Sequence, residues 1–271
     1  MSVSYQNLKT QTLDDVRAAI RAGTYASHTA GLGQGRLQAN LAILPEAYAL
    51  DFMRYCQRNP KPCPLVGVSD TGNPFISTLG KRLDVRADVP AYNIYRDGKL
   101  AGSATDISEI WQDDLVAFAI GCSFTFENAL QRAGIDVWHI TNNTTVPMYR
   151  SNLQTIPAGP FAGEMVVSMR AIPNDRLGEA NAISDRFPYA HGAPVSWGDP
   201  SKIGITDIER PDWGDPAPVP EGFTPVFWAC GVTPQVAIEN ARLPICITHK
   251  PGHMLITDVA EDAEVPVLKQ D

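Results

Sequence analysis

Between residues 226 and 248 two short apolar runs flank one helical segment, and no other part of the chain limits the fold so tightly. Residues 226–230 read as a strand. Gly231-Val232-Thr233-Pro234 then turns into a helix, with Thr233 at the N-cap and Pro234 at the first helical position, where each residue type is favoured. The helix runs to about Arg242, Pro244 breaks it, and residues 245–248 are strand again. A strand–helix–strand unit this compact predicts two parallel strands joined by a crossover, and hence an α/β fold.

The rest of the chain alternates in the same manner. Thr12-Leu13-Asp14-Asp15 opens a helix as a capping box, and Gly23 closes it. A second helix starts at Pro45 and runs towards Arg58, with Tyr48, Phe52 and Tyr55 forming an apolar stripe for the core, until Asn59-Pro60 stops it. Strands are expected at 65–69 and 91–95, an apolar run at 115–120, and a helix at 126–132 ending before Gly134. Further strands are expected at 137–141 and 165–170, with a short helix at 179–186. Residues 187–225 are rich in Pro, Gly and Asp and read as loops.

Length and charge exclude several functional classes. The 271 residues suffice for one large domain or two modest ones. A formal charge of −8, with both signs mixed along the chain, argues against a nucleic-acid partner. No apolar run reaches the roughly 18 residues of a membrane helix, and residues 1–10 lack the layout of a secretory signal, so a cytoplasmic protein is expected. Cys56, Cys63, Cys122, Cys230 and Cys246 are widely spaced and odd in number, which indicates reduced, buried thiols. A homo-oligomer is compatible with this size.

In an open parallel sheet, ligands bind beyond the carboxyl ends of the strands. Cys230, Gly231 and Thr233 would lie there, and His249-Lys250-Pro251-Gly252-His253 would share that edge. Free N–H groups at the Thr233 helix start would favour a carboxylate. His249 and His253 are candidates for acid–base work. Pro251-Gly252 between them argues against a helical metal-ligand pair, so no cofactor is expected, although a divalent metal is left open. Cys122 and Ser123 in a glycine-led turn would lie near positive backbone dipoles, which lowers a thiol's pKa. Glu127 reads either as a first-turn acid or as a catalytic group. His191 sits in the long loop with Asp199 nearby, Arg170 could hold a carboxylate or an internal partner, and Asn40 could line a pocket or cap structure. GxGxxG, P-loop and GxSxG patterns are absent from the sequence.

Several runs point further. Gln38-Ala39-Asn40-Leu41, the stretch from Arg58-Asn59-Pro60 to Cys63-Pro64-Leu65, Ile120-Gly121-Cys122-Ser123-Phe124, Ala158-Gly159-Pro160-Phe161 and Val166-Val167-Ser168-Met169-Arg170 are among them. His191-Gly192-Ala193-Pro194, the run from Phe227-Trp228-Ala229 to Thr233-Pro234-Gln235, and the run from Thr248-His249-Lys250 to Ile256-Thr257-Asp258 complete the set. Together they resemble, in order and over nearly the whole chain, the putative hydro-lyase family that includes D-glutamate cyclases. The resemblance implies a three-layer α/β/α domain with a smaller two-layer α/β domain, and the segment reading places the first at 1–114 plus 203–271 and the second, as an insertion, at 115–202. The resemblance also implies a carbon–oxygen lyase acting on a small carboxylate or amino acid, with D-glutamate converted to 5-oxo-D-proline and water. The chemistry of that reaction, not the resemblance, assigns the roles: His249 or His253 would be the base, His191 or a protonated Glu127 the proton donor, and Arg170 with the Thr233 helix start the carboxylate holders. A dehydratase or hydratase of another small hydroxy acid, and an amino-acid-binding protein without turnover, remain alternatives. His28 departs from the family pattern and is set aside.

Overall fold

The structure is a computed structural model describing residues 2–268. Its helices are α1 (Tyr5–Leu8), α2 (Leu13–Arg21), α3 (Glu46–Arg58), α4 (Phe124–Arg132), α5 (Trp138–Thr141), α6 (Leu177–Asp185) and α7 (Thr233–Ala241). Its strands are β1 (Arg36–Pro45), β2 (Leu65–Val68), β3 (Tyr92–Arg96), β4 (Lys99–Ala104), β5 (Leu115–Gly121), β6 (Met148–Gln154), β7 (Glu164–Pro173), β8 (Ser196–Trp197), β9 (Phe223–Ala229), β10 (Cys246–His249) and β11 (Leu255–Ala260). They form two antiparallel sheets within an α/β protein. The larger runs β2-β5-β1-β10-β3-β4, with β11 also paired to β1, and the smaller runs β6-β7-β9-β8.

β1 and β5 are buried at nearly every position because both faces of the large sheet are covered. Side chains alternate across a strand. Leu41, Ile43, Ala117 and Ala119 therefore pack on one face with Ile76, Leu79, Leu83 and Val85, while Ala42, Leu44, Phe118 and Ile120 meet Phe52, Tyr55, Ala237 and Ile238 on the other. The small sheet divides likewise. Val166, Val226 and Trp228 pack with α4 and α6, and Val167, Met169 and Phe227 pack with Tyr149, Ile203 and Ile205. The last two isoleucines lie in the Pro/Gly-rich stretch read as loop, which thus contributes core without a long element.

The expected parallel unit does not form. β9 lies in the small sheet beside β7, and β10 lies in the large sheet between β1 and β3. The reason is α7. A crossover helix in an open sheet has a solvent face, but every residue from Thr233 to Ile238 is buried. Val236 belongs to the core under the small sheet, and Ala237 and Ile238 to the core under the large one. The helix is a bridge between sheets, not a cover over one. Sheet membership also differs from the expected division at 115 and 202: β5 is a central strand of the large sheet, and β9 belongs to the small one.

Local signals fared better. Thr12 caps α2 through its hydroxyl and the Asp15 carboxylate, as a capping box requires, and Gly23 follows at φ 63°. The exception is 137–141, which is helix α5. There Ile140 and Thr141 donate backbone N–H bonds to Val137 O, and the Thr141 hydroxyl donates to Asp136 at 2.5 Å. These local bonds outweigh the strand preference of the β-branched residues.

Gly121 ends β5 where the backbone of Tyr189 crosses it. A Cβ added there would fall 1.6 Å from the Tyr189 carbonyl oxygen, so Gly121→Ala should cost about 3 kcal/mol or more through forced backbone displacement. Gly178→Ala, in α6 with open space around it, should instead be neutral or raise stability by about 0.5 to 1 kcal/mol. Thermal melts of both variants check the contrast.

Candidate active site

The centre of the polar interior is an ion pair between α4 and β7. Glu127 Oε1 accepts from Arg170 Nε at 3.1 Å and also from Arg170 Nη2, and His139 Nε2 lies 3.1 Å from the same oxygen. Arg170 also donates to Ser168 Oγ at 2.7 Å and Ser123 Oγ at 2.9 Å, and its guanidinium lies 5.5 Å from the rings of both Phe126 and Trp228. All of these polar groups are buried. Burial alone would raise the Glu127 carboxyl, but His139 and Arg170 outweigh it and hold the group below the usual carboxylate range.

This arrangement revises two expectations. Glu127 is ionised, so it is not a protonated acid. Arg170 is fully engaged inside the protein, so it is not free to clamp a substrate carboxylate. Cys122 is revised too: it precedes α4 as expected, yet burial pushes its thiol well up rather than down, and Cys230 is raised to about 11 for the same reason. All five cysteines are free and buried.

Thr233 is likewise not an anion site. Val232 is the N-cap, the Thr233 N–H donates to Cys230 O, and its hydroxyl is committed to Val166 and Cys230. Gln235 N and Val236 N both donate to Val232 O, and Pro234 has no N–H, so the helix start offers no free donors.

The two turns nevertheless meet, through β1 rather than through a shared sheet edge. Gly231 lies against Asn40 so closely that a Cβ would stand 1.9 Å from Asn40 Nδ2, which itself donates to Ile120 O and Gly121 O. One residue along, the edge of β1 passes from its pairing with β10 to its pairing with β11. The His249 ring fills that interval. Its Nδ1 accepts from Leu41 N at 3.1 Å, and Gln235 Nε2 donates to His249 O at 3.0 Å. Nδ1 also lies 3.3 Å from Leu41 O, and Nε2 is buried without a partner. His191, held at φ 77° with Nδ1 at 2.9 Å from Lys61 O, also buries an unpartnered Nε2. Burial lowers both histidines to about 4.

His253 differs in reaching a cleft. It lines a cavity of about 590 Å³ with Lys250, Thr145, Trp213, Asp215 and Tyr95. Its Nδ1 lies 2.9 Å from the Pro251 carbonyl oxygen, which can only accept, so Nε2 is the proton acceptor of the neutral ring. Burial lowers its pKa, the Pro251 and Ala26 carbonyls oppose, and the Lys250 and His28 charges lower it further. Burial also keeps the Tyr95 phenol protonated above its usual range. Asp215 accepts from Thr145 N at 2.8 Å. Behind the cleft, His28 Nε2 bonds Asn143 Oδ1 at 3.1 Å, and its ring meets Tyr5 at 4.7 Å.

Comparison with known proteins fits this interior. Residues 116–258, which carry α4, β7, α7 and the histidine loop, match the D-glutamate cyclase family. A protein of Dinoroseobacter shibae named "Putative hydro-lyase" is 75% identical over 98% of this chain and 88% of its own. One of Ruegeria pomeroyi with the same name is 71% identical over 99% and 98%, and one of Bordetella petrii is 55% identical over 90% and 92%. The chain belongs to the D-glutamate cyclase family. By that membership it is a lyase. A nitrogen repressor-like protein of Methanococcus jannaschii overlaps 93% of this chain and 98% of its own at a TM-score of 0.42 and 11% identity, too distant to bear on function.

Within this cyclase-family chain, sequence reading missed His139, Ser123, Tyr95 and Lys250 as polar partners and set His28 aside. His139 lay inside an assumed strand, and Tyr95 is distant in sequence from His253. Among the described residues no group of three or more His, Cys, Asp or Glu is placed to hold a metal, and no helix is long and apolar enough to cross a membrane.

Two outcomes are expected. Arg170→Met strands the Glu127 charge and should lower unfolding free energy by about 3 to 5 kcal/mol, measured by urea titration. His191 and His249 have folded values depressed below the unfolded one near 6.5. Their stabilisation is therefore complete above about pH 6.5 and is lost as pH falls towards 4, at about 3 kcal/mol each. His249→Gln should flatten the dependence of unfolding free energy on pH across that window.

Proposed function

We propose that this lyase closes D-glutamate to 5-oxo-D-proline with loss of water in the cleft that His253 lines. The carrying observation is the His253 imidazole, whose pKa burial lowers, lining the same cavity as the Lys250 side chain. The α-amine must lose its proton before it can attack the γ-carboxyl carbon. The new C–N bond forms, one C–O bond breaks, and the two hydrogens leaving nitrogen both end on the departing oxygen. A single imidazole that takes a proton from nitrogen and returns it to oxygen, once before attack and once as the C–O bond breaks, balances the reaction. Lys250 suits the substrate α-carboxylate, Asp215 the ammonium before it is deprotonated, and the Tyr95 hydroxyl the charge that builds on the γ-carboxyl oxygen. Holding amine and carbonyl at attack distance supplies several kcal/mol of the barrier, on the order of what well-oriented intramolecular reactions gain.

Mass spectrometry after incubation with D- and L-glutamate tests the reading. Product from the D-isomer alone is expected, and His253→Ala should reduce turnover by about a hundredfold or more. Because the base works deprotonated, kcat/KM should fall on the acid side with a midpoint below the ordinary imidazole value of 6.5. A tight D-glutamate complex without product would favour a sensor. Loss of activity in EDTA would favour a metal-assisted dehydratase.

A further inference from the structure

Thr29 grips the chain on both sides of His253. Its N–H donates to Gly252 O at 2.9 Å, and its hydroxyl accepts from Met254 N at 2.9 Å. Thr29 is completely buried. It is fixed in turn to the middle of the large sheet, since its carbonyl oxygen accepts from Gln38 Nε2 at 3.2 Å and from Leu32 N at 3.0 Å, and Gln38 Nε2 also donates to Leu32 O at 2.9 Å. The turn it grips is otherwise tied at its start, where Lys250 N donates to Ala91 O at 2.8 Å. Gly252 adopts φ 85°, the His253 N–H closes the turn onto Lys250 O, and the ring is anchored to the turn's own Pro251 carbonyl and to the backbone of Ala26.

We propose that Thr29 is a positioning residue for the cyclisation, fixing the distance and angle at which the His253 imidazole faces the cleft. The inference rests on His253 acting there as the base. A buried hydroxyl that satisfies one backbone N–H would be ordinary packing if it bonded anywhere along the loop. This one bonds the residue directly after the imidazole, while the same residue's N–H bonds the one directly before it. Displacement of the His253 backbone must therefore break a bond to Thr29 or drag β1 with it, while the ring's own rotation is restrained by its Nδ1 contact with the Pro251 carbonyl. Displacements of about 1 Å in a reacting group can cost on the order of a hundredfold in rate, so one bond at this place has catalytic weight. The neighbours that charge the site are Lys250 in the same turn, His28 beside Thr29, and Asp215 across the cleft.

Thr29→Ser and Thr29→Ala differ by one oxygen and test the role in the full chain. Thr29→Ser should retain kcat and the acid limb of the pH profile. Thr29→Ala should lower kcat about tenfold or more, move KM less, and shift the acid limb. Equal behaviour of the two variants would overturn the proposal. A second measurement needs no turnover: NMR titration of the His253 ring should show a midpoint moved in Thr29→Ala and restored in Thr29→Ser, and an unmoved midpoint would also overturn it. If instead His253→Ala retains full activity while the Thr29→Ala midpoint is shifted, the cyclase assignment of His253 fails and the clamp stands.

Discussion

A carboxylate and a guanidinium shut away from water at the junction of α4 and β7 set the terms for the rest of the interior. Either charge alone would be expensive to bury, by several kcal/mol even after relaxation, and their pairing with added polar contacts makes the pair tolerable although Glu127 Oε2 is left without a partner. Ser123, Ser168, His139 and two aromatic rings supply those contacts. Because these groups come from α4, β7, β9 and α5, the pair can exist only when both the small sheet and the segment following β5 are in place. It ties the completion of one sheet to the other.

The second constraint is the changeover on the edge of β1. A strand whose neighbour switches from β10 to β11 exposes backbone groups at the switch, and such groups cannot be left unpaired in a core. The His249 side chain answers by receiving the Leu41 N–H. That role explains why a histidine occupies a fully buried place with a strongly lowered pKa, and why its neighbour four residues on, not His249 itself, meets the cleft.

Much of the local structure was legible. The capping box at Thr12, the stripe of Phe52 and Tyr55, and the limits of α7 followed from spacing and breakers, because those signals act within one or two turns of chain. The separation of β9 and β10 into different sheets was not legible. Nothing in the strand sequences separates a helix that covers one sheet from one that joins two, except the burial of Gln235 and Thr233 on faces that would otherwise meet water. The candidate site was half visible for a similar reason: His253, Glu127 and Arg170 stood in recognisable runs, but charge states depend on partners such as His139 and on depth, which spacing does not encode. Thr29 and Tyr95 owe their roles to contacts more than 150 residues away in sequence, and single-chain patterns are blind to those.

The thiols carry a consequence of their own. Cys122 and Cys230 sit in the core beneath the small sheet, and Cys56, Cys63 and Cys246 in the core between the large sheet and α3. Each is enclosed, and Cys122, Cys230, Cys63 and Cys246 are also held well above the range where thiolate forms, so an alkylating reagent meets them only when the surrounding core opens. The protein thus contains two sets of built-in reporters, and their separate labelling rates distinguish breathing of one half of the molecule from breathing of the other.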